Sequence, residues 1–244
     1  MSLKLHITNN VITHYKNNGF TYIVKKSKEQ IEQFLSECNK LSIELFDSKA
    51  NAGVINEFND LTKYMNITSV VMKFIINNNY NCKHIFPVSV NKIKFVGYNE
   101  IDINNLLKMN THLHITEFTY EPYKIRACKF DIFKIDSYLL KDVEIIHQYL
   151  LDDNFTYVKD DDDNTLLTLN DDYTKFTKLK EINYYSYKDK FDPKSLQYYE
   201  MLKKNDGHKF KLYDKCYFVK KNILPEGCVE KFYEMKKVFV DTEV

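Results

Sequence analysis

Apolar residues separated by a single position recur along most of this chain, and that recurrence constrains its architecture more than any other feature. The pairs are Tyr22/Val24, Ile43/Leu45, Met72/Phe74, Ile93/Phe95, Leu113/Ile115, Phe133/Ile135 and Phe155/Tyr157, spaced 20 to 29 residues apart, with Leu5/Ile7 as a possible earlier member. A two-residue alternation sends both side chains to one face of a short strand. A strand that returns at near-regular intervals is the construction of a solenoid, in which each repeat buries its apolar face against its neighbours. The same pattern is produced by ordinary strands of a non-repeating sheet.

Between the pairs lie amphipathic segments. Ser27 and Gln30 form a capping-box pair ahead of Ile31, Phe34, Leu35, Cys38 and Leu41, which predicts a helix over 27–41. Further helices are predicted over 54–65, over 103–109, over 137–151 with Asp136 as its cap, and after Pro225. Runs rich in β-branched and aromatic residues predict strands over 20–24, 69–76, 90–95, 112–118, 124–135, 155–158, 166–169 and 210–219, with a last one over 236–241. The acidic run Asp160 to Asp163 reads as a solvated loop or hairpin tip. The chain is therefore expected to be mixed α and β: a leucine-rich-repeat-like strand/helix solenoid, or otherwise an α+β layered domain. Residues 1–158 form its alternating domain, and 159–244 a C-terminal subdomain or a continuation of the first.

The stretch from about Ser69 to Ile125 resembles leucine-rich repeats of the FNIP type, which are common in amoebae and their giant viruses. The resemblance rests on Pro87-Val-Ser-Val-Asn-Lys-Ile93-Lys-Phe95 followed by Gly97-Tyr-Asn99, and on Thr111-His-Leu113-His-Ile115. It implies a curved strand ladder that presents a broad surface to a protein partner. The regular asparagine and proline of that family are missing from the other units.

Charge narrows the remaining classes. Basic and acidic residues balance at 35 and 34, so nothing draws the whole molecule to nucleic acid or an anionic membrane. Arg126 is the only arginine, which removes the bidentate clamp typical of phosphate enzymes. Lysine dipeptides at Lys203, Lys220 and Lys236 are interleaved with acids and read as solvated surface. Nucleic acid is thus not the favoured partner. The five glycines are scattered and form neither a dinucleotide fingerprint nor a phosphate loop. Five cysteines without a C-x-x-C spacing suit reduced thiols. With no leader or long apolar run, a cytoplasmic protein is expected, in the host cytoplasm if the source is viral. The abundance of Tyr, Phe, Asn, Ile and Lys is attributed to an AT-rich genome.

One constellation carries possible chemistry. His6-Ile-Thr8 and His114-Ile-Thr116 each fall in a strand-like run, where alternation places His and Thr on one face. In those four residues the chain is similar to the 2H phosphoesterases, which implies histidines as general base and acid and threonine hydroxyls on the phosphodiester of a cyclic or 2′,5′-linked nucleotide, without a metal. The first motif stands closer to the start, and the separation is longer, than in that family. His112 with His114, and Cys82 with His84, have the spacing of paired ligands, but no third ligand is placed beside either pair. No cofactor or metal is expected. The reading favoured by the sequence is a protein-interaction module without catalysis.

Overall fold

A computed structural model describes residues 2–7, 11–15, 21–25, 28–45, 60–74, 83–121, 131–150, 156–159, 162–163, 165–169, 171–188, 210–213, 216–220 and 222–236. Thr8, Cys82, and the expected segments 54–59, 124–130 and 237–241 lie outside them. The fold is mixed α and β. Two compact units divide at Val143/Glu144, ahead of the boundary expected after residue 158.

The first unit carries strands β1 (Ser2–Ile7), β2 (Val11–Tyr15), β3 (Thr21–Lys25), β4 (Lys40–Leu45), β5 (Ser69–Phe74), β6 (Lys92–Val96) and β7 (Glu117–Glu121), with helices α1 (Lys28–Glu37) and α2 (Glu100–Met109). Its sheet runs β7-β6-β5-β4-β1-β2-β3. From β4 onward every strand pairs in parallel with the next in chain order, and the registers share one set of rungs. Leu41, Val70, Ile93 and Phe118 stand side by side on one rung, and Ile43, Met72, Phe95 and Tyr120 on another. All eight are buried, Tyr120 at 3% being the most exposed. Burying such side chains is worth ~2 kcal/mol each, and this face anchors the unit.

Short turns of period three lead into the strands. The Tyr64 N–H donates to the Leu61 carbonyl (3.0 Å) and the Ile67 N–H to the Tyr64 carbonyl (3.1 Å), which buries Leu61, Tyr64 and Ile67 together. The α2 helix obeys its local signals: Asn99 caps it by accepting from the Asp102 N–H at 2.8 Å, Lys108 sits in its last turn, and Ile103, Leu106 and Leu107 are buried.

The second unit contains a parallel sheet of β8 (Ile145–Leu150), β11 (Glu181–Lys188) and β14 (Val229–Lys236), again in chain order and in register. Between these strands the chain inserts β9 (Thr156–Lys159) with β10 (Thr165–Leu169), and β12 (Phe210–Tyr213) with β13 (Cys216–Lys220), which assemble a second sheet in the order β12-β13-β10-β9. The acidic run lies between the antiparallel β9 and β10, as a hairpin tip should, and Lys159 pairs with Asp163 at 3.0 Å.

Several expectations are corrected. The helix over 27–41 stops at Glu37, because Leu41 belongs to β4. The described part of 54–65 is the period-three turn. The described part of 137–151 is a 3-10 turn, Ser137–Leu140, followed by β8; Asp136 precedes that turn without a side-chain capping bond. Pro225 opens a tight turn into β14 rather than a helix. The 112–118 strand begins only at Glu117, and Ile132–Lys134 is a 3-10 turn. Leu113/Ile115 and Phe133/Ile135 are therefore not strand pairs. The residues that hold those rungs are Phe118/Tyr120 and Ile146/Gln148. At Leu61/Tyr64/Ile67 and Ile132/Ile135 the apolar spacing is real, but turns of period three produce it.

Candidate functional site

The strand that carries His6 and the strand that follows His114 are not neighbours. His6 lies on β1 opposite Glu44, while His114 and Thr116 precede β7. Strands β4, β5 and β6 separate β1 from β7, a distance of roughly 19 Å at the usual strand spacing, beyond what a single phosphate bridges. His114 is exposed and its Nδ1 meets Asp142 Oδ2 at 2.9 Å. Thr116 Oγ1 donates to the Asn91 carbonyl at 3.3 Å. His112 places Nε2 2.8 Å from the Phe86 carbonyl oxygen, and His84 is buried. Among the described residues no group of three His, Cys, Asp or Glu side chains could hold a metal ion.

A different surface gathers aromatic and polar side chains. On the face of the β8-β11-β14 sheet opposite Ile146 and Ile182, one rung carries Tyr149, Tyr185 and Tyr233. Their rings stack: Tyr149 and Tyr185 have centroids 5.0 Å apart at 22°, and Tyr185 and Tyr233 are 5.2 Å apart at 17°. Parallel in-register pairing brings like residues to the same height, so a tyrosine at the same position of successive strands must form such a ladder. His147 extends the cluster, stacking on Tyr185 at 5.7 Å with its Nδ1 2.9 Å from the Tyr185 hydroxyl. Glu181 accepts from Lys231 and, at 2.7 Å, from Asn183. These partners hold the Glu181 carboxyl below the usual range, Lys231 contributing most. Exposure rises along the ladder, from 8% at Tyr149 to 41% at Tyr233.

Behind this face a buried polar network holds the strands in place. The Tyr173 hydroxyl donates to Gln148 Oε1 (2.8 Å), and that of Tyr184 to Glu230 Oε1 (3.1 Å). Asn222 Nδ2 donates to the Tyr184 hydroxyl (2.7 Å) and to Glu230 (3.0 Å). Burial pushes both phenols well above their ordinary range, and nearby carboxylates add to the effect. A phenol whose folded pKa is raised contributes stability that is complete below the unfolded value, about 10, and is lost as pH rises beyond it. Tyrosinate absorbance should therefore show Tyr173 and Tyr184 among the phenols that ionise only as the protein unfolds in alkali, and Tyr184→Phe should lower the number of such phenols by one.

No family model, curated protein or solved structure matches the chain. No helix among the described residues is long and apolar enough to cross a membrane.

The molecule supplies a comparison of its own. Asp60-Leu-Thr62-Lys63-Tyr64-Met-Asn-Ile67 and Asp172-Tyr-Thr174-Lys175-Phe176-Thr-Lys-Leu179 fold alike. Asp60 Oδ1 accepts from the Thr62 N–H and hydroxyl at 3.0 and 2.6 Å, and Asp172 does the same for Thr174 at 3.0 and 2.6 Å. Lys63 lies over the Tyr64 ring and Lys175 over that of Phe176, each at 5.0 Å. Asp60 bridges to Ile85 of Ile85-Phe86-Pro87, and Asp172 to Ile223 of Ile223-Leu224-Pro225. The Pro87 carbonyl accepts from Val90 (3.0 Å) and the Pro225 carbonyl from Cys228 (3.1 Å). The second connection into its strand is one residue shorter, and its turn carries Gly227 at φ +74, a conformation that favours glycine, where the first has Ser89. The cassette is written in the sequence as Asp-x-Thr-Lys-aromatic and as Ile-x-Pro, local signals that apolar alternation does not reveal.

Proposed function

We propose that the chain is a leucine-rich-repeat-like strand ladder that binds a protein partner through the outer face of its second unit, without a catalytic step. The observation that carries this reading is the tyrosine ladder Tyr149-Tyr185-Tyr233, most exposed at Tyr233, with His147 and Lys231 beside it. Tyrosine is enriched where proteins bind, because it offers a large, rigid contact area, a polar tip and little rotamer entropy to lose. Stacking fixes these rings further, so ordering them costs a partner little. In-register parallel pairing and the duplicated cassette support the repeat reading, as does the FNIP-like segment around Pro87 and Ile93.

The test is capture by the immobilised protein, compared with capture by Tyr185→Ser after circular dichroism has shown the variant to be folded. A protein retained by the wild type and then measured as a purified pair by calorimetry should bind the variant about 30-fold more weakly, the usual consequence of truncating an aromatic anchor. Identical sets of retained proteins on both columns would overturn the reading.

A further inference from the structure

The tyrosine ladder also has the geometry of a one-electron path. The rings of Tyr149, Tyr185 and Tyr233 stack nearly parallel, with centroids 5.0 and 5.2 Å apart and interplanar angles of 22° and 17°. Phenol rings in such contact overlap through their π systems, so an electron missing from one ring is supplied by the next. The middle ring has a second property. Its hydroxyl lies 2.9 Å from His147 Nδ1, and the His147 ring stacks on that of Tyr185. A phenol that loses an electron becomes a strong acid, so its oxidation is easiest where a base already holds the hydroxyl proton. An imidazole that carries its proton on Nε2 offers Nδ1 as that base. Tyr173 and Tyr184 bond instead to Gln148, Asp171 and Glu230, whose amide and carboxylate groups are weaker bases than imidazole.

We propose that Tyr185 with His147 is a redox-active site that gives one electron to an oxidising free radical, and that the stack carries the resulting vacancy between Tyr185 and Tyr233. The oxidant takes its electron from Tyr233, which is 41% exposed and releases its hydroxyl proton to water. Carbonate radical anion, an oxidant of this class, becomes bicarbonate by taking up that electron and a proton. Tyr185 then reduces the Tyr233 radical. The electron crosses the stack, the Tyr233 oxygen regains a proton from water, and the Tyr185 hydroxyl proton moves to His147 Nδ1. The products are a neutral phenoxyl radical at Tyr185 and an imidazolium at His147. A thiol that returns one electron closes the cycle, and His147 hands the proton back. This activity is independent of the protein-binding reading, and its test needs no partner.

The probe is peroxynitrite in bicarbonate buffer, which delivers carbonate radical together with nitrogen dioxide. The second radical couples to a phenoxyl ring and marks it as nitrotyrosine, most readily at Tyr233, where the shared vacancy is exposed. Tyr138 is the internal reference: it is 54% exposed, more than Tyr233, and makes no hydrogen bond or ring contact among the described residues. Peptide mapping by mass spectrometry should find nitration of Tyr233 at least threefold above that of Tyr138, the reverse of the order set by exposure. Tyr185→Phe keeps the ring but removes the oxidisable hydroxyl, and His147→Phe keeps an aromatic ring but removes the base. Once circular dichroism has shown them folded, each should lower the Tyr233 to Tyr138 ratio at least threefold.

A wild-type ratio at or below one overturns the site, and this outcome needs no variant. So does a ratio that neither substitution lowers. A ratio lowered by only one of the two overturns it as well, since electron and proton must move together. None of these outcomes bears on capture by the wild type and by Tyr185→Ser, so the two readings fail separately.

Discussion

Replacing Phe118 with alanine should destabilise the protein by about 3–5 kcal/mol, the range for deleting a fully buried aromatic ring. Phe118 has no exposure, stands beside Ile93 on a core rung, and packs its ring 6.0 Å from that of Phe95. The loss combines the apolar area no longer buried with the cavity that neighbouring strands cannot collapse into, since main-chain bonds hold them in register. Against total stabilities of about 5–15 kcal/mol this is a large fraction. Urea denaturation should show the midpoint falling with little change of slope. Thr119→Ala, one residue along on the other face, should stay within about 0.5 kcal/mol of wild type. Equal losses at the two positions would mean that the inward and outward faces are wrongly assigned.

Asn110→Leu should cost about 2–4 kcal/mol although it replaces a polar group with an apolar one of similar size in a buried place. Asn110 is 2% exposed and serves four backbone groups. Its Oδ1 accepts from Phe86, its Nδ2 donates to the carbonyls of His84 and Leu106 (2.8 Å), and its own N–H caps α2 by donating to Leu107 (2.9 Å). The first three bonds are lost with the amide, and buried backbone groups left without partners cost about 1–3 kcal/mol each, partly recovered by relaxation. Asn110→Asp should not rescue the loss, because it keeps the acceptor for Phe86 but turns a carboxylate toward two carbonyl oxygens. Amide exchange should report the damage locally, with the Phe86 N–H losing protection first. A Phe86 amide that stays protected in Asn110→Leu would show that Asn110 does not hold that loop.

These two positions also mark the limits of reading the chain directly. Ile93/Phe95, most of the strand expected over 69–76, the helix expected over 103–109 and the hairpin expected around Asp160 to Asp163 were all legible, because alternation, helical spacing and turn chemistry act over a few residues. β8 was read as a helix, and β11 was missed. Period-three turns such as Tyr173-Phe176-Leu179 mimic helical spacing, and in β11 the polar Asn183 and Ser186 interrupt the run of Ile182, Tyr184, Tyr185 and Tyr187. The site was less legible still. Tyr149, Tyr185 and Tyr233 lie dozens of residues apart, and nothing local relates them. His6 and His114 looked related only because a tripeptide was repeated.

By itself the sequence determined where short strands and turns can form, since apolar alternation, the Asp-x-Thr turns and the Ile-x-Pro connections are local preferences of the backbone and side chains. Only the tertiary structure decided which strands are neighbours and at what register, because that depends on pairing across long intervals of chain. Register turned three distant tyrosines into a ladder and held the two histidine motifs several strands apart.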